Sequence, residues 1–150
     1  MAISGSSTTE INAPLERVWE LVEDVEAAPQ WQGGLKAMRS VERDADGHAV
    51  LCESESDAKV RTIRSTVRFS YDGPTALRWR QEKGELKSVD GSWELEDLGG
   101  GRTRATYSLD VDLGRMLGMV IRGPLVGVLR DMLVGARAGE LKKWAEGGAS

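Results

Sequence analysis

The sequence predicts an α+β domain in which one antiparallel sheet curls around a long C-terminal helix. Three observations carry this. Leu125, Val128, Leu129, Met132, Leu133, Ala136, Leu141 and Trp144 recur at steps of three and four, the period of a helix. Apolar and polar residues alternate position by position through much of Leu35–Leu113, the period of half-buried strands. Those strands each present one apolar face, and the terminal helix is the only other large apolar element, so the two surfaces must close on each other.

Taken in order, Ile3–Asn12 is rich in Ser and Thr and reads as a strand. A helix follows. Asn12 or Ala13 stands at its cap, Pro14 falls in the first turn where a missing N–H does no harm, and Glu16 complements the positive end. Val18, Trp19, Leu21 and Val22 form its buried stripe, and Asp24–Gln30 reads as a second short helix ended by Pro29 and the Gly33-Gly34 pair.

The period then changes to two. Leu35–Arg43 and His48–Ser56 are strands joined by the turn Asp44-Ala45-Asp46-Gly47. Val60–Tyr71 places Ile63, Val67, Phe69 and Tyr71 on one face and Thr62, Arg64, Thr66 and Arg68 on the other. After the turn Asp72-Gly73-Pro74, Thr75–Lys83 sets Leu77 and Trp79 opposite Arg78 and Arg80. Leu86–Leu98 aligns Val89, Gly91, Trp93 and Leu95 on one face; beyond Gly99-Gly100-Gly101, Arg102–Leu113 aligns Ala105, Tyr107, Leu109, Val111 and Leu113. Six strands with short turns between them are antiparallel neighbours. Gly123-Pro124 interrupts the last apolar run, so the main helix is predicted to begin at Pro124 and to span roughly 33 Å to Ala145. Arg130, Arg137, Lys142 and Lys143 collect toward its second half, where cations suit the helix dipole.

The length of 150 residues fits one domain, 1–150, with a sizeable core. A net charge of −4 disfavours nucleic acid as a partner. The single cysteine, Cys52, rules out an internal disulfide framework and fits a reducing, cytoplasmic setting. The first ten residues have neither a basic nor an apolar leader pattern, and no apolar run reaches membrane-spanning length.

Chemistry-bearing residues are sparse. His48 is the only histidine and sits beside Gly47, where a solvated turn residue is expected; no ligand set is spaced for a metal. Cys52 alternates with Val50 and Ser54 and reads as a small buried residue. The Gly99–Gly101 run lacks the helix and Lys-Ser/Thr of a phosphate loop. Arg64, Arg68, Arg78 and Arg80 face outward, either paired with cross-strand acids such as Glu94 and Glu96 or forming a patch for an acidic partner or anionic membrane surface.

Several short stretches resemble a known superfamily. Glu10-Ile11-Asn12-Ala13-Pro14, Val18-Trp19, Asp24, Pro29-Gln30-Trp31, Gly91-Ser92-Trp93-Glu94-Leu95, Gly101-Arg102-Thr103 and Leu141-Lys142-Lys143 are similar to the Bet v 1-like (START/SRPBCC) proteins, and among them to the polyketide cyclase/dehydrase and lipid-transport family. The resemblance covers the whole chain. It implies a helix-grip fold: a seven-stranded antiparallel sheet wrapped around the long helix, two short helices after the first strand, and a cavity between sheet and helix. It further implies a lipid, quinone or polyketide-like ligand, and no metal, nucleotide or redox cofactor. Three functions share that architecture: a carrier of an apolar or amphipathic molecule, an aromatase/cyclase or dehydratase, and an interaction module whose cavity is filled by side chains. The expected cavity residues are Ile63, Val67, Phe69, Tyr71, Leu77, Trp79, Trp93, Tyr107, Leu109, Leu125, Leu129 and Met132. Met116, Met119, Val120 and Ile121, flanked by Arg115 and Arg122, form an expected lid that admits ligand or touches an anionic membrane surface. Sequence alone leaves the oligomeric state open.

Overall fold

The computed structural model describes residues 2–147. Seven strands form one antiparallel sheet in the order β1-β7-β6-β5-β4-β3-β2. They are β1 (Ala2–Ile11), β2 (Leu35–Arg43), β3 (Ala49–Asp57), β4 (Thr62–Asp72), β5 (Ala76–Gly84), β6 (Ser88–Gly99) and β7 (Arg102–Asp112). Strands β2 to β7 neighbour one another in chain order, as short turns require. β1 closes the row beside β7, with Ile3 opposite Val111 and Ile11 opposite Thr103.

Between β1 and β2 lie α1 (Leu15–Glu23) and a 3₁₀ helix (Val25–Gln30). Pro14 caps α1 in extended conformation, and Arg17 and Val18 donate their N–H groups to its carbonyl. Val18 and Val22 are the buried side of α1. The cap thus falls on Pro14 itself and not on Asn12 or Ala13 as expected, so the proline precedes the first turn, while Glu16 stands in that turn where its charge suits the helix dipole.

The C-terminal half carries the one departure from the expected architecture. α2 (Gly114–Val120) is a separate short helix, and a new helix starts at Pro124 after Gly123 at φ 65°. The predicted break is therefore where proline chemistry puts it. The main helix is not one regular helix, however. α3 (Pro124–Arg130) runs into a π-helical turn (Asp131–Gly135), where the Ala136 N–H reaches back five residues to the Asp131 carbonyl at 2.8 Å. α4 (Arg137–Glu146) follows. A π turn inserts one residue and rotates everything after it by one position. Ala136, expected inside, is exposed; Arg137, expected among the solvated cations, is buried with Ala138 and Leu141.

Ser7 of β1 fastens this turn to the sheet. Its hydroxyl donates to the Val134 carbonyl at 2.8 Å and accepts the Ala138 N–H at 3.2 Å. Two backbone groups that the irregular turn leaves without regular partners are thus satisfied by one side chain.

The core lies between the concave sheet face and the terminal helices. Trp93, Leu77, Ile3, Ile11, Ile121, Leu129 and Leu141 are its largest fully buried side chains. On the convex face arginines meet carboxylates: Arg68 sits 3.0 Å from Glu82 and 3.7 Å from Glu42, Arg64 is 3.5 Å from Glu55, and Arg104 is 2.8 Å from Glu96. The expected partnership of Arg64 and Arg68 with Glu94 and Glu96 is replaced by these nearer acids. Among the described residues, no helix is long and apolar enough to cross a membrane.

Candidate functional site

A cavity of about 150 Å³ lies between the concave sheet face and the terminal helices. Strand alternation builds most of its wall. Ile63, Val67 and Phe69 of β4, Leu77 and Trp79 of β5, Trp93 of β6, and Tyr107 and Leu109 of β7 all line it. Leu129 and Leu133 close it from the helix side, Ile121 from the end of α2, and Leu35 and Met38 from β2. The aromatic rings form a continuous inner surface: Phe69 to Trp79 at 6.0 Å, Trp79 to Tyr107 at 5.6 Å, Tyr107 to Trp93 at 4.8 Å and Trp93 to Trp31 at 6.1 Å between centroids.

Three expected wall residues lie elsewhere. Tyr71 is on the inward face of β4 but near its end, where its ring stacks on His48 and its hydroxyl donates to the Ala49 carbonyl at 2.5 Å. Leu125 packs on the core one turn before Leu129 without lining the cavity. Met132 lies against the loop at Gly34, close enough that a side chain there would meet its Cε at 3.2 Å.

The expected lid divides into two faces. Met116, Met119 and Val120 are exposed, whereas Ile121 is fully buried and belongs to the cavity wall. Helical spacing explains the split, since Leu117 and Ile121 are one turn apart and share the inward side.

Of the polar groups at the cavity, Tyr107 is where the strand pattern places it, and Arg137 is one that the pattern did not reveal. Arg137 is only 3% exposed and lines the cavity. Its Nη1 donates to Glu140 Oε1 at 2.7 Å and to the Gly33 carbonyl at 3.1 Å. Glu140 Oε2 in turn accepts the Gly33 N–H at 2.9 Å. One Arg–Glu pair therefore holds both backbone groups of Gly33, and a Cβ there would meet Glu140 Oε2 at 2.7 Å. The guanidinium carbon also lies 5.5 Å from the Tyr107 ring centre, within cation–π range. Burial raises the Tyr107 hydroxyl above its ordinary pKa, against the opposing pull of Arg137. Tyr107 is therefore a neutral donor at neutral pH. Gln32, Ser54, Ser56, Asp57 and Ser65 add further polar lining.

His48 is more than a solvated turn residue. Its Nε2 lies 3.2 Å from Glu23 Oε2 while its ring stacks 4.4 Å from Tyr71, so it joins α1, the β2–β3 turn and β4. The turn also gathers Asp44, Asp46 and His48, with ligand-type atoms within 4.8 Å of one another, a cluster the spacing had not suggested. Asp44 Oδ1 is already committed there, accepting the N–H groups of Asp46 and His48.

Cys52 is fully buried, and its thiol is pushed from its ordinary 9.0 up to about 11, first by burial and then by Glu26, with Arg43 opposing. Folding thus favours the neutral thiol. That contribution to stability is complete below pH 9, where the unfolded thiol is also neutral, and is lost between about pH 9 and 11 as the unfolded thiol ionises. A two-unit shift corresponds to about 3 kcal/mol. Urea melts at pH 8 and pH 10.5 are expected to show a smaller pH loss for Cys52→Ala than for the wild type. Equal losses in the two proteins would remove Cys52 from the account. Tyr71 and Tyr107, also raised by burial, continue the alkaline loss in both proteins.

The architecture recurs in solved structures. A START superfamily protein from Mycobacterium smegmatis superposes with a TM-score of 0.81 at 21% identity, over 96% of this chain and 97% of its own. The ZhuI aromatase/cyclase from Streptomyces sp. R1128 gives 0.80 at 16% identity over 100% and 97%. A protein from Thermus thermophilus gives 0.79 at 20% identity over the full length of both. At these identities the likeness establishes the Bet v 1-like helix-grip fold. No curated protein sequence matches the chain. The sequence profile of the polyketide cyclase / dehydrase and lipid transport family, by contrast, aligns with residues 11–135, which takes in everything from the end of β1 through the π turn, and the chain belongs to that family.

Proposed function

We propose that the chain binds a small apolar or amphipathic molecule, of lipid, quinone or polyketide-like kind, between the sheet and the terminal helix. The observation that carries this is the cavity itself: an aromatic and aliphatic wall with Tyr107 and Arg137 as its convergent polar groups. Ligand sites of soluble proteins have this composition. The family to which the chain belongs is one of lipid transport as well as cyclisation. At about 150 Å³ the cavity is small beside typical ligand sites, so a ligand of ordinary size widens it by displacing part of the wall. The exposed apolar side of α2, with Arg115 and Arg122 beside it, is the segment we assign to that movement and to contact with anionic lipid.

A panel of short fatty acids, alcohols and quinones tests the reading directly. Binding in the micromolar range is expected, about −8 kcal/mol, with a change in tryptophan emission because Trp79 and Trp93 line the cavity. A panel that produces neither an emission change nor a thermal shift would sink the reading.

The Tyr107–Arg137 pair supports a second reading, cyclase or dehydratase chemistry, and ZhuI is itself an aromatase/cyclase. Tyr107 would donate a proton or hydrogen bond to a substrate carbonyl, and Arg137 would stabilise the negative charge that develops on it. Under this reading Tyr107→Phe loses turnover and keeps binding.

A further inference from the structure

We infer that Arg137 is the receptor for the acidic end of the ligand, so that the bound molecule is an amphiphile carrying a carboxylate. The inference rests on the ligand-binding reading above and names the chemical class of its ligand.

A guanidinium has five N–H donors, arranged so that Nε and one terminal nitrogen form a flat edge matching the two oxygens of a carboxylate. In Arg137 the hydrogen bonds to Glu140 and Gly33 both leave from Nη1, and the guanidinium also meets the Tyr107 hydroxyl. Nε is buried and meets no acceptor among the described residues. The group thus divides in two. Its Nη1 end is occupied in fixing the side chain, and the edge that takes a carboxylate side-on carries an unused donor.

Such an arrangement is costly unless it serves a purpose. A buried donor without a partner costs about 1–3 kcal/mol, more when it is charged. A structural clamp on Gly33 needs only the Nη1 end, which a lysine or glutamine could supply without orphaning Nε. The surroundings also fit. Arg137 lines the same cavity as the apolar wall, and its guanidinium lies beside the Tyr107 ring. A ligand with its carboxylate on the Nε–Nη2 edge would leave its hydrocarbon part against Trp79, Trp93 and Leu109. The π turn supplies the geometry: without its extra residue Ala136 would occupy the inward position and Arg137 would be in solvent.

The experiment compares octanoate, 1-octanol and methyl octanoate on the unmodified protein at neutral pH, read by calorimetry. Octanoate is expected to bind at least about 10-fold more tightly than either neutral compound, the contrast between charge-assisted bidentate and neutral hydrogen bonding. Arg137→Lys, which keeps the charge and loses the planar edge, should cancel most of that preference, bringing the octanoate-to-octanol affinity ratio close to one. Glu140→Gln removes the resident counter-charge but keeps an acceptor for the Gly33 N–H, and should tighten octanoate alone. A purely structural arginine predicts none of these acid-specific changes. If all three compounds bind equally to the wild type, the carboxylate assignment is wrong and the cavity reading stands. If none binds and none shifts the melting temperature, both are wrong. Should Arg137→Lys fail to fold, the wild-type comparison and Glu140→Gln still decide the matter.

Discussion

Leu129→Asp is expected to leave the domain unfolded at room temperature. Leu129 is 1% exposed, on the inward side of α3, where it closes the cavity against the sheet. Replacing it removes a buried aliphatic side chain, about 2–5 kcal/mol when truncated, and adds a carboxylate with no partner. Arg137 offers no rescue, because eight residues separate them, roughly 12 Å along the helix. A domain of this size has about 5–15 kcal/mol of stability, and this change consumes most of it. Ile121→Asp should behave in the same way, since Ile121 is also fully buried. Met119→Asp should not. Met119 is 65% exposed, and an exposed substitution normally changes stability by about 0.5 kcal/mol or less. Its expected effect is on ligand uptake and on sedimentation with anionic vesicles. Circular dichroism melts separate the two classes. A cooperatively folded Leu129→Asp protein with a near-native melting temperature would contradict the packing described here. A Met119→Asp protein as unstable as Ile121→Asp would make α2 ordinary core and remove it from any lid.

That contrast shows what could and could not be read from the residues in order. Strand faces follow from alternation, because a strand's side chains point to opposite sides whatever the rest of the chain does. Ile63, Val67, Leu77, Trp93 and Leu109 therefore fall inward as the pattern implies. Pro124 fixes the start of the main helix through its own covalent geometry. Arg137 was not legible. A 3.6-residue period assumes an unbroken helix, and one inserted residue at Asp131–Gly135 shifts every later position. The device that holds the π turn, Ser7 of β1, is 127 residues from the carbonyl it binds. No local pattern encodes such a pairing. The same limit applies to the Gly33 clamp, whose partner Glu140 lies 107 residues away. Gly33-Gly34 reads in sequence as a helix stop; in the fold, Gly33 accommodates the Glu140 carboxylate and Gly34 the Met132 side chain. Tyr71 and Met132 show the converse. Both obey their local period, yet position along the element decides whether an inward residue reaches the cavity or packs at its margin.

Gly91 is the position where the smallest change should have a large effect on the cavity. It lies on the inward face of β6, opposite Trp79 in β5 and Leu109 in β7. The Trp79 indole lies across it: a Cβ at residue 91 would come within 2.2 Å of Cε2 and 2.4 Å of Nε1. No bonded or packed arrangement tolerates that distance, so any side chain at 91 must drive the ring away. Phe69 at 6.0 Å and Tyr107 at 5.6 Å flank the ring, so it is driven into the cavity it lines or out toward solvent. Overpacking of this kind costs about 1–3 kcal/mol. Gly91→Ala is therefore expected to lower stability by about that amount, and Gly91→Val by more, since a branched side chain fills space the indole occupies. Both should redden tryptophan emission as Trp79 moves toward solvent and weaken binding of apolar ligands. Trp79→Leu combined with Gly91→Ala should recover stability, because the smaller side chain leaves room for the methyl group. The double variant separates a local collision from a general demand for glycine in the strand: strand glycine is otherwise unfavourable, and removing it should then help. If Gly91→Ala alone melts like the wild type with unchanged emission, Trp79 does not lie over Gly91, and the aromatic wall of the cavity is arranged differently.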